Sequence, residues 1–437
     1  MRIPSMRASM AAAALLVAGC TTGALTADTQ DVIDPTKVNN VNGLTALRAG
    51  AIGDFAYSNA GDQGNQEGQI LVSGLVADEF RNSDTFPTRQ EMDNLQMRVE
   101  NVSLDGVYRA LHRARVSTQE AGRRFREIGP AGAVTTNAIA ELESLSGFAL
   151  IYFGENYCGN VPLGRFTSDS VQNGTSNTTT QLFQAAIAKF DSALVVRPGY
   201  GLAAVGRARA LLNLGQFAAA ATAVNAVPTS FSYVETHAIL PSRIVNGVYT
   251  FFVESVRWSM ANGEGTNGLN YIAAADPRVP SEDTGDTGFD GFTPQVNQTK
   301  YPGRDASIVI ADGREARLIE AEAALQSGAP GAWLTILNTL RAANTPALPA
   351  LVDPGTAAGR ITLHFRERAF WMYATGHRLG DMRRLLRAPY SRARNTVFPI
   401  GPYPKGDNYG LQVNIPVSFS ETNNPNYDPA ACSATTP

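Results

Sequence analysis

The segment "QLFQAAIAKFDSALVVRP" (residues 181–198) restricts the fold more than any other part of the chain. Ala186, Phe190 and Ala193 follow one another at spacings of 4 and 3, and Pro198 closes the run five residues later. On a helix these positions share one face: the small alanines allow close approach of a neighbour, the aromatic ring fills the gap between helices, and proline ends the element. Ala220 stands 34 residues beyond Ala186 in "LLNLGQFAAAATAVNAVP", with Val224 and Val227 at the corresponding places. "REARLIEAEAALQSGAPGAWLTILNTLRAA" (314–343) has the same form, with Gly328 to Gly331 as the turn. Helical hairpins repeated in this way must stack to bury their apolar faces.

The spacing resembles that of tetratricopeptide repeats. Helical apolar periodicity also runs through residues 43–57, 104–128 and 137–157, the last apolar over most of its circumference towards its end and so expected to be buried. Residues 165–180 and 262–305 read as polar linkers, and the Pro-, Gly-, Tyr- and Asn-rich stretch from 388 onwards as irregular structure pinned to the surface. The expected architecture is all-α for the most part: a single large domain over 41–437, with hairpins at about 137–228 and 314–343.

The first residues give an address. "MRIPSMR" is a basic n-region and "MAAAALLVA" an apolar stretch too short to span a bilayer, the pattern of an export signal. It ends in "LVAGC", which resembles the bacterial lipobox, with cleavage before Cys20 and lipidation of that residue. Residues 1–19 are then a signal peptide and 20–40 a lipidated tether, with Thr21 favouring the outer membrane by resemblance to bacterial sorting rules. With Cys20 acylated, Cys158 and Cys432 remain in a disulfide-permissive compartment, where a bond between them is expected rather than two buried thiols. Closing so large a loop is worth at most roughly 4–5 kcal/mol in the chain-entropy account. The net charge of −3 does not point to nucleic acid as a partner. Four histidines, at 112, 237, 364 and 377, lack metal-ligand spacing, so neither metal nor cofactor is expected. No nucleophile elbow or phosphate loop is present, and the adjacent Asp78 and Glu79 would point apart in helix or strand, so catalysis is not expected.

"RERAFWMYATGHRLGDMRRLL" (366–386) carries a further resemblance. Glu367, Arg368, Gly376, Arg378, Asp381 and Arg383 are placed like the late signature of the SusD/RagB family of outer-membrane nutrient-binding lipoproteins. Arg317, Ala321, Glu322 and Ala323 resemble the family's R-L-x-x-A-E-A helix, and "DPR" (276–278) and "YFGENYCGNVPL" (152–163) resemble two more of its landmarks. Ala374–Thr375 departs from the usual aromatic–acidic pair, which marks a divergent member. The resemblance implies a non-enzymatic protein at the cell surface that captures an oligosaccharide or other large nutrient for a SusC-like TonB-dependent transporter. The alternative from the residues themselves is a scaffold lipoprotein whose repeat groove binds another envelope protein.

A sugar-binding face needs exposed aromatics and polar side chains for hydroxyls. Trp258, opening the Gly/Asn-rich stretch 258–271, and Tyr271 at its end are the stacking candidates. Asp78, Arg81, Asn82, Asp84 and Phe86 lie in a region that the resemblance assigns to the ligand face. Trp333 and Trp371 belong to the core, and Tyr403, Tyr409 and Tyr427 to the packing of the tail. Read as one continuous helix, 363–386 sets Glu367, Arg378 and Asp381 on an apolar face. Arg378 and Asp381, at i and i+3, are expected to pair, while Glu367 requires a partner from elsewhere and His377 is structural or at the surface.

Overall fold

The computed structural model describes residues 40–166 and 170–437; the leader, Cys20 and the rest of the tether lie outside the described residues. The first half is helical, comprising α1 (Val41–Ala60), α2 (Gln69–Val76), α3 (Pro87–Asp93), α4 (Val102–Ile128), α5 (Ala133–Asn156), α6 (Thr179–Val196), α7 (Gly201–Asn213) and α8 (Phe217–Val224). Helices α5 to α8 pack in sequence as hairpins. Thr178 and Gln181 cap α6 reciprocally, each satisfying an N–H at the helix start. Phe190 explains the alanine–aromatic spacing: an added Cβ at Gly147 of α5 or Gly206 of α7 would lie 2.6 or 2.3 Å from its ring. Both neighbours therefore give up a side chain so that the ring can enter between three helices, edge-on to Phe148 at 5.3 Å. Ala220, Val224 and Val227 of the degenerate copy are buried as well.

The second half adds α9 (Gly313–Gln326), α10 (Pro330–Ala343), α11 (Ala357–Trp371) and α12 (Arg378–Leu386). Asp312 caps α9 through the N–H of Glu315 (2.8 Å), and α10 begins on Pro330, suited to a first-turn position. Gly331 is part of α10, so the turn is shorter than the sequence implies. Trp333 packs with Leu318, Leu337 and Trp371 in a core of its own. The strands described form two-stranded antiparallel ladders. Both presumed linkers contain them: Arg165–Phe166 pairs with Val171–Gln172, and Ser281–Thr287 with Pro294–Gln298. Among the described residues no helix is long and apolar enough to cross a membrane.

The expected continuous helix over 363–386 is broken. Residues 372–376 form a turn in which Ala374 and Gly376 have φ of 54° and 73°. Tertiary partners take up the freed backbone: Lys300 Nζ donates to Tyr373 O (2.6 Å), Tyr301 Oη to Ala374 O (2.9 Å), and Ala374 N to Glu79 Oε1 (3.0 Å). The break also redirects the charges. Arg378 turns to Asp78, with Nε and Nη2 at 2.6 and 2.9 Å, instead of pairing with Asp381. Asp381 is held by Arg368 at 2.8 Å and by Arg384, not Arg383, at 2.6 Å. Glu367 finds its partners in Arg278 (2.6 Å) of the DPR segment and Arg341 (2.8 Å) of α10. His377 is buried against Arg209, Thr375 and Glu315. These residues knit the end of the chain to both helical halves.

The C-terminal region is irregular, as its composition implies, yet much of it is internal. Phe398, Tyr403, Tyr409, Val413, Ile415 and Val417 are buried and Tyr427 partly so. Cys158 and Cys432 are joined by a disulfide.

Candidate ligand-binding face

The strand Phe80–Asn82 pairs antiparallel with Trp258–Met260, which places Asn82 opposite Trp258. This ladder brings together the two segments singled out in the sequence, but turns most of their side chains inward. Trp258 is 0 % exposed, its Nε1 donating to Leu71 O (3.3 Å) and its ring edge-on to Phe251 at 4.8 Å. It lies in a strand, not at a loop opening, and presents no face to a ligand. Tyr271 is buried against Phe370 and Tyr373. Asp78 is consumed by Arg378 and by Leu269 N (2.9 Å), and the buried Asn82 side chain accepts from Asp84 N (2.8 Å). Arg81 pairs with Glu264 at 2.7 Å.

Phe86 is the most exposed member of the set, at 48 %, and it has company. The hairpin connecting Ser281–Thr287 to Pro294–Gln298 carries Phe289 and Phe292, 50 % and 64 % exposed. The Arg257 guanidinium lies 3.9 Å from the Phe289 ring centroid and 5.0 Å from that of Phe86, a cation bracketed by two aromatic faces. Buried Asp84 fixes it from beneath, pairing with Arg257 at 2.7 Å and also with Arg89. Burial acts to raise the Asp84 pKa, but its bonds to Arg89 and Arg257 prevail and hold it below the ordinary carboxylate range.

The hairpin tip is pinned to its neighbours by main-chain bonds: Phe289 N donates to Val256 O (2.9 Å) and Asp290 N to Ser83 O (3.0 Å). Gly288 permits the approach, since a Cβ there would lie 2.3 Å from Ser83 Cβ. Asp290 accepts from Phe292 N and Thr293 N, both at 2.8 Å, and pairs with Lys405 at 2.5 Å. Burial opposes ionisation of Asp290, yet Lys405 and those N–H groups hold its pKa down to about 2. The result is a set of exposed rings on a fixed frame, with Arg257, Asp290, Thr293 and Lys405 at its margin. Such a surface can stack on the C–H faces of sugar rings and hydrogen-bond their hydroxyls. Among the described residues, no group of His, Cys, Asp and Glu is arranged to hold a metal ion.

Sequence reasoning missed Phe289, Phe292, Arg257, Asp290 and Lys405. A local signal existed for two of them: "FDGF" (289–292) sets two aromatics around an Asp-Gly turn in an otherwise polar stretch, the pattern of a hairpin tip with its rings outward.

By sequence, no protein-family model and no curated protein matches the chain. By structure, similarity is extensive. A SusD superfamily protein from Bacteroides fragilis superposes with a TM-score of 0.64 at 14 % identity, covering 89 % of this chain and 99 % of its own. Surface glycan-binding protein A from Bacteroides uniformis gives 0.63 at 14 % identity, over 89 % and 98 %. A SusD-like carbohydrate-binding protein from Bacteroides vulgatus gives 0.60 at 12 % identity, over 84 % and 86 %. With its stacked helical hairpins, its loop-rich second half and this coverage, the chain has the SusD-like fold, in a sequence far diverged from those structures.

Proposed function

We propose that the protein is a lipoprotein of the outer membrane, anchored through Cys20 and facing the cell surface, that captures an oligosaccharide and delivers it to a SusC-like TonB-dependent transporter. The observation that carries the capture step is the exposed pair Phe86 and Phe289 around the Arg257 guanidinium, with the exposed Phe292 on the same hairpin as Phe289. The glycan-binding and carbohydrate-binding names of proteins with this fold point the same way. The reading is capture rather than catalysis: Asp84 and Asp290, the carboxylates of the face, are each held ionised by cationic partners and serve as anchors, not proton donors. Anchoring rests on the lipobox pattern, and delivery on the family resemblance.

A glycan array on the form lacking residues 1–20, followed by calorimetry with the best ligand, tests this reading. Phe289→Ala and Phe86→Ala are each expected to weaken binding about tenfold, the worth of one aromatic stacking partner. Unchanged affinity in both variants removes the face from the function. Absence of any glycan ligand, together with failure of the membrane-extracted protein to co-purify a TonB-dependent barrel, would sink the proposal as a whole.

A further inference from the structure

The arginines of α12 and the residue just beyond it are not treated alike. Arg378 is met by Asp78, and Arg384 by Glu322 and Asp381. Arg383 and Arg387, one helical turn apart, meet no carboxylate among the described residues. Arg383 is buried, with Nη1 donating to the carbonyls of Gly154 (2.9 Å) and Glu155 (2.6 Å) and Nε left without a partner. Arg387 is partly buried and makes one side-chain hydrogen bond, to the neutral amide of Asn213 at 3.3 Å. Glu155, whose field reaches both, is already held by Arg209 and by Asn213 Nδ2 (2.7 Å). Burial, then the charge of Arg387, pushes Arg383 down to about 9; burial, then the charge of Arg384, pushes Arg387 down to about 10. Both remain cations at neutral pH.

Keeping two guanidiniums of like charge side by side with no counter-charge is costly unless an anion can join them. There is room for one beside Arg387. Arg387 lines a cleft of about 410 Å³ between the start of α6, the turn from α7 to α8 and the segment after α12. Arg383 does not line the cleft, whereas the paired Arg384 does. Thr180 and Gln184 offer a hydroxyl and an amide to it, the Asn213 amide being engaged by Glu155 and Arg387, and Phe217 and Tyr390 form an aromatic wall, edge-on at 6.3 Å. A guanidinium is a planar fork that matches a carboxylate with two parallel N–H···O bonds, while amides and hydroxyls match sugar hydroxyls. We propose that this cleft is a second ligand site, taking a small carboxylate-bearing molecule of the sugar-acid class, with Arg387 as the group that receives the carboxylate. It shares no residue with the Phe86–Phe289 face and does not depend on it.

Calorimetric titration of the full-length protein with sodium glucuronate, with glucose and with sodium acetate as competitor tests the proposal. Glucuronate is expected to bind at least tenfold more tightly than glucose and to be displaced by acetate. Arg387→Gln should cost tenfold or more in glucuronate affinity, while the melting temperature without ligand stays unchanged or rises because an uncompensated cation is gone. Arg387→Lys should recover part of the affinity, and Phe289→Ala should leave it intact. No binding of glucuronate, equal binding of glucose, undiminished binding by Arg387→Gln, a sharp fall in that variant's melting temperature, or loss of glucuronate binding in Phe289→Ala would each overturn it.

Discussion

Asp78 and Glu79 are neighbours with opposite tasks. Asp78 is the salt-bridge partner of Arg378, whereas Glu79 is buried, accepts one N–H from Ala374, and has an Oε2 with no partner. Burial outweighs that N–H and raises the Glu79 pKa to about 8, so at neutral pH it is chiefly a neutral acid. Between the ordinary carboxylate range and about pH 8 the folded state therefore binds a proton that the unfolded state has released. The stability this proton contributes is fully present below the unfolded pKa and is lost as pH rises through the folded one. Glu79→Gln mimics the neutral form. Urea unfolding should find the two proteins alike near pH 5 and the variant more stable by about 4 kcal/mol at pH 9; a constant difference across pH would contradict this. The roles of single residues were the least legible part of the chain. Trp258 follows Arg257 in a polar stretch, and its burial depends on pairing with Asn82, 176 positions away in sequence, which no local pattern records. Phe86 was found through the family resemblance of its segment, whereas Phe289 needed recognition of a hairpin inside what read as a linker.

Helices and their hairpins were legible because their signal is local. The alanine–phenylalanine–alanine spacing of α6 acts over a few residues, and the glycines that accommodate Phe190 lie on the adjoining helices. The interruption between α11 and α12 was not legible, since the backbone groups it frees are satisfied by Glu79, Lys300 and Tyr301 from distant segments. For the same reason Arg378 and Asp381 looked like a pair: at i and i+3 they could meet, but each is offered a better-placed partner from another element. Glu367 shows what these ion pairs do for the element that carries them. It is the shared anion for Arg278 and Arg341, so α11 is tied to both the 276–278 segment and α10. Glu367→Gln removes that anion, leaving the buried Arg341 without a carboxylate and Arg278 with Asp276 alone, which should lower stability by about 3–5 kcal/mol. Denaturant unfolding that shows a loss below about 1 kcal/mol would mean that solvent reaches these arginines.

At the scale of the whole molecule the irregular C-terminal region acts as a strap. Ile415 N donates to Asn156 O (2.8 Å) and Cys158 N to Ile415 O (3.0 Å), so the tail adds to the end of α5, and the Cys158–Cys432 bond fastens the same junction. Reduction, or Cys432→Ser, should lower unfolding free energy by about 2–5 kcal/mol, measured against the oxidised protein in the same denaturant. No change would show that the hydrogen bonds and buried side chains of the tail suffice. Composition predicted the irregularity of this region correctly, but not that Val413, Ile415 and Val417 complete the interior, because short apolar stretches without periodicity do not reveal what they pack against. Synthesis proceeds from the N-terminal side, so residues 41–157 emerge long before 413–432 exist. The early helices must then wait, with the apolar seat of Ile415 and Val417 open to water, and maturation of this protein becomes a matter of timing. Until the strap arrives, the half-made chain is the form most in need of a chaperone.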